Sequence, residues 1–322
     1  MEGVGAVLVA EELVLPKTMM HRVAFRAMGC RMLAVADVDP PPPALQDVPL
    51  WFEDWEQTLS RFRSDSELCQ LNINDGRMIP VSQTLWDVYQ ASLEADCITA
   101  GLVNPLVYDA LLHAGYDRSF DSILNGSHLI LDNDVDAPVS LDDVTVDAAT
   151  RSICLPRGTH LDFGGVAKGW AAHQAMERLK VSGPALVNAG GDIAVSGLQA
   201  DGERWSVDIV DPFRPGEYNG MLYVGEGGVA TSGKDYRRWT RGGLPQHHII
   251  DPRTGLPAET DVLTATVIAS TVMEAEAIAK MVVILGSQAG LNRLNSDPSL
   301  SGLLILENGE RLYTSNYKDY FS

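Results

Sequence analysis

The sequence is poor in the features by which many function classes are recognised. Four cysteines (Cys30, Cys69, Cys97 and Cys154) are spread over 322 residues. No two form a CxxC pair and no His or Cys spacing suits zinc, so neither a disulfide framework nor a structural zinc site is expected. The thiols read as buried groups in a reducing compartment. Basic residues are also scarce: 24 Lys plus Arg stand against 43 Asp plus Glu, for a net charge of -19. That balance argues against nucleic acid, which selects basic faces. No apolar stretch reaches membrane-spanning length. Residues 1–21 are partly apolar, but Glu2, Glu11 and Glu12 interrupt them and no basic leader is present, so they read as an N-terminal extension and not as a secretory signal. Repeats and low-complexity segments are missing too. These absences lead to the expectation of a cytoplasmic protein without nucleic-acid partner or stable membrane association, its residues 22–322 forming one domain.

What is present is a large reserve of core-forming residues, 45% of the chain, against 21% charged. The pattern predicts a strand over 22–38, ended by the Pro40–Pro43 run, then helices over 44–60 and 82–100, with Ser82 as cap and Gly101 as stop. Ser66 is placed to cap a short helix to Leu71, and 106–115 suggests another, ending at Gly115. Short β-like runs follow at Leu129–Leu131, Val144–Val146 and Ile153–Leu155. Beyond a helix over about 167–180, strands dominate, including Ala185–Asn188, Ile193–Ser196, Trp205–Val210, Met221–Val224, Val229–Thr231, His248–Ile250 and Leu263–Ile268. A strong helical pattern over 272–285 precedes a hairpin signal at Glu307-Asn308-Gly309-Glu310. Strands and helices without regular alternation point to an α+β fold.

The densest chemistry lies in Gly158-Thr159-His160-Leu161-Asp162-Phe163-Gly164-Gly165-Val166-Ala167-Lys168-Gly169-Trp170. Glycines at a strand-to-helix junction let backbone N–H groups approach a ligand, and the helix start adds unpaired donors and the positive dipole end. With Lys168 this makes a phosphate site or, equally, an ordinary glycine-rich turn; it is neither a Walker A loop nor GxGxxG. Asn188-Ala189-Gly190-Gly191-Asp192 reads first as a tight turn with Asp192 bonding its own backbone. Thr231 and Ser232 end a strand and are able to bond a ligand, whereas Arg237 and Arg238 read as a solvated loop. His248 sits before a turn with Pro252 at its second position, as a base or as a structural histidine. Glu276 and Lys280, four apart on one helix face, read as a surface ion pair, with a carboxylate at a metal or phosphate site as the sharper alternative.

Taken in order, these segments resemble the ApbE family, the FAD:protein FMN transferases. The residues carrying the resemblance are Met28-Gly29-Cys30, Ser60-Arg61-Phe62, Ser66 to Asn72, Asp162 to Trp170, Asn188 to Asp192, Ala230 to Gly233 and His248 to Gly255. The resemblance runs from about residue 22 to the end of the chain. It implies an α+β, two-lobed fold with mixed, largely antiparallel sheets flanked by helices, and flavin dinucleotide held between the lobes. It implies an enzyme that splits FAD, joins FMN through a phosphoester to a Thr or Ser of an acceptor flavoprotein, and releases AMP, with magnesium against the pyrophosphate. By resemblance, Met28, Phe62, Leu102, Val103, Asn104, Asp162, Lys168, Gly190, Gly191, Thr231, Ser232 and Ile249 bind the flavin nucleotide. His248 and Lys168 are catalytic, His248 as base. Gly165, Ala167 and Glu276 hold the metal, and Lys280 stands where the family has a Thr ligand.

Three departures concern one predicted site. Lys280 replaces the Thr, and a protonated ammonium is no metal ligand. Gly101-Leu102-Val103-Asn104-Pro105 lacks the Asp the family has in place of Asn104, and His173 stands where an Asp is usual. All three shift the site towards less negative charge, with Lys280 partly substituting for magnesium. The alternatives to transfer are FAD binding without catalysis and hydrolysis of FAD to FMN and AMP.

Overall fold

The structure, a computed structural model, describes residues 20–123, 140–214 and 216–321. Most of the expected N-terminal extension and the run Leu129–Leu131 lie outside the described residues. The chain forms two compact units. One comprises the described part of Met1–Phe52 with Lys168–Tyr236 and Thr260–Ser322; the other comprises Glu53–Ala167 and Arg237–Glu259.

The first unit is built on an eight-stranded sheet: β1 (Met20–Ala27), β2 (Cys30–Asp37), β3 (Ala185–Ala189), β4 (Asp192–Val195), β5 (Gly227–Gly233), β6 (Val262–Ala269), β7 (Ser301–Leu306) and β8 (Arg311–Tyr313). Spatial order follows chain order and every neighbouring pair is antiparallel. The single strand expected over 22–38 is a hairpin. Met28 (φ 49°) and Gly29 (φ 69°) both adopt positive φ, and two such central residues form the tight connection whose twist suits paired strands. The helices α1 (Ala44–Leu59), α2 (Gln83–Ile98), α3 (Ala167–Leu179) and α4 (Val272–Leu285) follow the expected ranges closely, and α5 (Ser287–Asn295) is an addition.

Sheet parity explains how α4 is seated. On one face, Val229 of β5, Ile268 of β6 and Leu303 and Ile305 of β7 join Trp205, Val207, Leu222 and Val224 of the hairpin Trp205–Val210/Tyr218–Val224 in a buried core. Alternate residues point the other way. There β5 offers Gly228, Ala230 and Ser232, paired with Ala269, Val267 and Ala265 of β6. Helix α4 packs across these two strands. It starts so close that a Cβ on Gly228 would lie 2.2 Å from the Val272 backbone. Thr271 caps the helix, its hydroxyl accepting the Glu274 N–H at 3.1 Å. Because β6 is covered on both faces, all eight of its residues are buried.

The second unit holds α2, whose cap Ser82 accepts the Leu85 N–H, and the short helices Glu67–Asn72 and Tyr108–His113. A hairpin of Arg238–Arg241 with Leu244–His247 occupies the segment read as a solvated loop. Trp239 explains it: the indole is buried with Tyr116, Leu111 and Ile250, and its N–H donates to the Ala114 carbonyl at 2.8 Å. The strand expected over His248–Ile250 narrows to Ile250–Asp251, paired with Leu256–Pro257, leaving His248 and Ile249 in the bend before it.

Gly228→Ala is expected to destabilise the protein by about 2–3 kcal/mol, because the methyl meets helix backbone and not a side chain that can turn aside. Urea denaturation monitored by circular dichroism measures this, and an unchanged midpoint would contradict the seating of α4.

Candidate active site

The centre of the first unit is a group of four ionised side chains. Lys168, in the first turn of α3, reaches Asp192 at the start of β4 and Glu276 in α4, the latter at 3.1 Å. Lys280, one turn beyond Glu276, donates to the same oxygen, Oε1, at 2.8 Å. Glu276 Oε2 accepts the Gly169 N–H at 2.9 Å. Glu276 is 1% exposed and Asp192 2%, whereas the side chains of Lys168 and Lys280 keep 17% and 16%. The expected surface ion pair is therefore interior, joined by a second lysine and a second carboxylate.

Local structure accounts for each contact. Gly169 is one of the first residues of α3, whose initial N–H groups lack partners within the helix. Glu276 supplies one, and its charge suits the positive end of the dipole. A Cβ on Gly169 would lie 2.6 Å from Glu276 Oε2, so the contact requires glycine. Asp192 shares a sheet face with Ala194, which pairs with Gly228, and so belongs to the face on which α4 packs. Asp192, read from sequence as a residue bonding its own turn, is the anchor of Lys168. The turn carries itself, with the Gly191 N–H donating to Asn188 Oδ1 at 2.8 Å. The one signal that pointed there was the paired Gly190 and Gly191.

The electrostatics follow. Burial alone would raise the Glu276 carboxyl, but Lys168 and Lys280 pull it down to about 2. Asp192 is displaced upward, by burial and then by Glu276, against the pull of Lys168. Burial opposes the charge on Lys168, yet Asp192 and Glu276 hold its ammonium above the ordinary value. His173 is shifted downward by burial and so supplies no added positive charge near neutrality.

Other predicted site residues of this unit lie around the same strands. Gly190 (φ 67°) packs on Cys30, where a Cβ would come within 2.7 Å of the Cys30 Cβ, so the Met28-Gly29-Cys30 turn meets the Asn188–Asp192 turn. Thr231 is exposed and shares a 2.9 Å hydroxyl contact with Thr266; Ser232 is buried.

The second unit carries the remaining predicted residues. Asp162 is fully engaged: one oxygen pairs with Arg61 Nε at 2.9 Å and the other accepts the Gly164 N–H at 2.8 Å. The Arg61 guanidinium lies 4.3 Å from the Phe62 ring centre and 4.4 Å from that of Tyr116, and its Nη2 is buried without a hydrogen-bond partner. Sequence reasoning did not single out Arg61; the buried Asp162 is its reason for being there. Phe62 is 44% exposed beside a cavity of about 490 Å³ that Arg61, Cys69 and Arg118 also line. Leu102 and Val103 are buried, and Asn104 caps the turn at Pro105 by accepting the Leu106 N–H at 2.8 Å. Gly165 and Ala167 lie in the turn into α3, where Phe163 O accepts the Ala167 N–H at 2.8 Å. His248 is half-buried, and the Ile249 carbonyl accepts the Ala258 N–H at 3.0 Å.

The donors present do not suit the magnesium that the resemblance implies. Glu276 is engaged at both oxygens, Lys280 offers an ammonium, and among the described residues no three His, Cys, Asp or Glu side chains are grouped to hold an ion. Glu276→Gln is expected to cost about 3–5 kcal/mol at neutral pH, since it leaves two half-buried ammonium groups with one carboxylate. A carboxyl whose folded value is depressed stabilises above its ordinary 4.5 and loses that effect as pH falls towards 2. The gap between wild type and variant in urea denaturation should therefore close through that window; a gap independent of pH would contradict the assignment.

The ApbE family model matches residues 28–304. The FAD:protein FMN transferase of Treponema pallidum is 30% identical over 277 residues, covering 81% of this chain and 76% of the relative. That of Vibrio cholerae is 28% identical over 282 residues, covering 84% and 82%. The crystal structure of the ApbE protein of Thermotoga maritima shares the fold with a TM-score of 0.82 at 21% identity, over 94% of this chain and all of that one. With a match spanning most of the sequence and carried by motifs in both units, the chain belongs to the ApbE family.

Proposed function

We propose that this protein transfers FMN from FAD to a Thr or Ser hydroxyl of an acceptor protein, with release of AMP. The observation that carries the reading is the family match over residues 28–304, which includes both Lys168 and His248. The names of the Treponema and Vibrio relatives support it. A permanently charged Lys168, fixed by Asp192 and Glu276, fits a reaction that depends on positioning and charge neutralisation.

In this reading the acceptor oxygen attacks the phosphorus of the FMN half of FAD, and His248 takes the hydroxyl proton. A new P–O bond joins FMN to the acceptor as the bond to the AMP oxygen breaks, and AMP leaves with the electron pair. Met28, Phe62, Leu102, Val103, Asn104, Asp162, Gly190, Gly191, Thr231, Ser232 and Ile249 line the flavin nucleotide, and the backbone at Gly165 and Ala167 faces its phosphates. The working place is the cytoplasm; none of the four cysteines is disulfide-bonded, and no helix among the described residues is long and apolar enough to cross a membrane.

Mixing the protein with FAD and an acceptor bearing an exposed Thr should yield flavin fluorescence on the acceptor after denaturing electrophoresis, with one AMP released per flavin attached. His248→Ala should slow both by about 100-fold or more, the range of a general base. AMP with free FMN and no labelled acceptor would replace transfer by hydrolysis. Bound FAD with no AMP would leave a flavin carrier.

A further inference from the structure

We infer that the Lys168–Asp192–Glu276–Lys280 quartet is closed to divalent metal ions, with the ammonium of Lys280 as a tethered counter-charge in place of a bound ion. The quartet is neutral as it stands: two ammonium groups balance two carboxylates. Three of its four carboxylate oxygens are engaged. Glu276 Oε1 accepts hydrogen bonds from Lys168 and Lys280, Oε2 accepts the Gly169 N–H, and Asp192 Oδ2 accepts from Lys168. A divalent cation added here would leave two uncompensated charges in a site where both carboxylates are almost wholly buried. It would also have to displace Lys280, which is one helical turn from Glu276 and therefore always at hand. Gly169 removes the remaining freedom, because Glu276 cannot swing its second oxygen outward without leaving a helix-start N–H unpaired.

Lys280 is thus the residue that sets metal dependence. Replacing its ammonium with a hydroxyl, as in Lys280→Thr, frees Glu276 Oε1 from one charged donor and leaves the cluster with a net charge of one carboxylate. Such a site attracts a cation. The metal claim stands on this geometry alone; its consequence for flavin binding rests on the function proposed above.

Two measurements on the full-length protein separate these. Mn2+ titration followed by electron paramagnetic resonance should show no stoichiometric tight ion in wild type that Glu276→Gln removes, and should show one in Lys280→Thr. A tight wild-type ion lost in Glu276→Gln overturns the inference. So does a Lys280→Thr protein, folded by circular dichroism, that binds Mn2+ no better than wild type. FAD titration by calorimetry should give wild-type affinities in EDTA and in magnesium that agree within about twofold, and a tenfold or greater weakening in EDTA overturns the inference without need of any variant. If FAD binds under neither condition, the flavin reading fails, and the Mn2+ measurement still decides the closed quartet.

Discussion

The first unit depends on one carboxylate. Glu276 is almost fully buried, a position that would be untenable for an isolated charge. Two lysines and one backbone N–H make it tenable, and each comes from a different structural decision. Lys280 is placed by helical periodicity within α4, Lys168 by the turn into α3, and the Gly169 N–H by the requirement that a helix start leave donors unpaired. Truncating any one partner leaves the others with uncompensated charge or an unmade hydrogen bond, so the group acts as a unit. The close seating of α4 on β5, through Gly228 and Ala230, is what makes the site interior at all.

The same arrangement gives the glycine and lysine segment an internal use for its donors. A glycine-rich helix start is suited to an external anion. Here one of its N–H groups is taken by the protein's own carboxylate, and Lys168 is anchored by two. The lysine is therefore rigid and charged before any ligand arrives, which removes the ordering cost of fixing a long side chain on binding. In the second unit Asp162 repeats the pattern, with both oxygens engaged and Arg61 lying against the rings of Phe62 and Tyr116.

Much of this was legible in the residues, and the part that was not has a common cause. Helices α1, α2 and α4 showed themselves through periodicity, and Ser66 and Ser82 through cap chemistry, because these are local signals. The Glu276–Lys280 spacing was equally plain, but its burial was not: that depends on Gly228, 48 positions earlier by chain number, and on Gly169 in another helix. Asp192 looked like a turn residue because its partner, Lys168, is 24 positions earlier and meets it only in the folded chain. The β1–β2 hairpin was hidden by Met28, a non-glycine residue in a conformation that glycine or asparagine usually signals. Trp239 concealed a hairpin behind flanking arginines. In each case the missing information was which face of an element would be covered.

The most direct test is a crystal structure of the full-length protein grown with Mn2+ and FAD, with anomalous data collected at the manganese edge. The account predicts Lys280 Nζ within hydrogen-bond distance of Glu276 and no anomalous peak at that carboxylate. A manganese peak bound to Glu276, with Lys280 turned away, would contradict it.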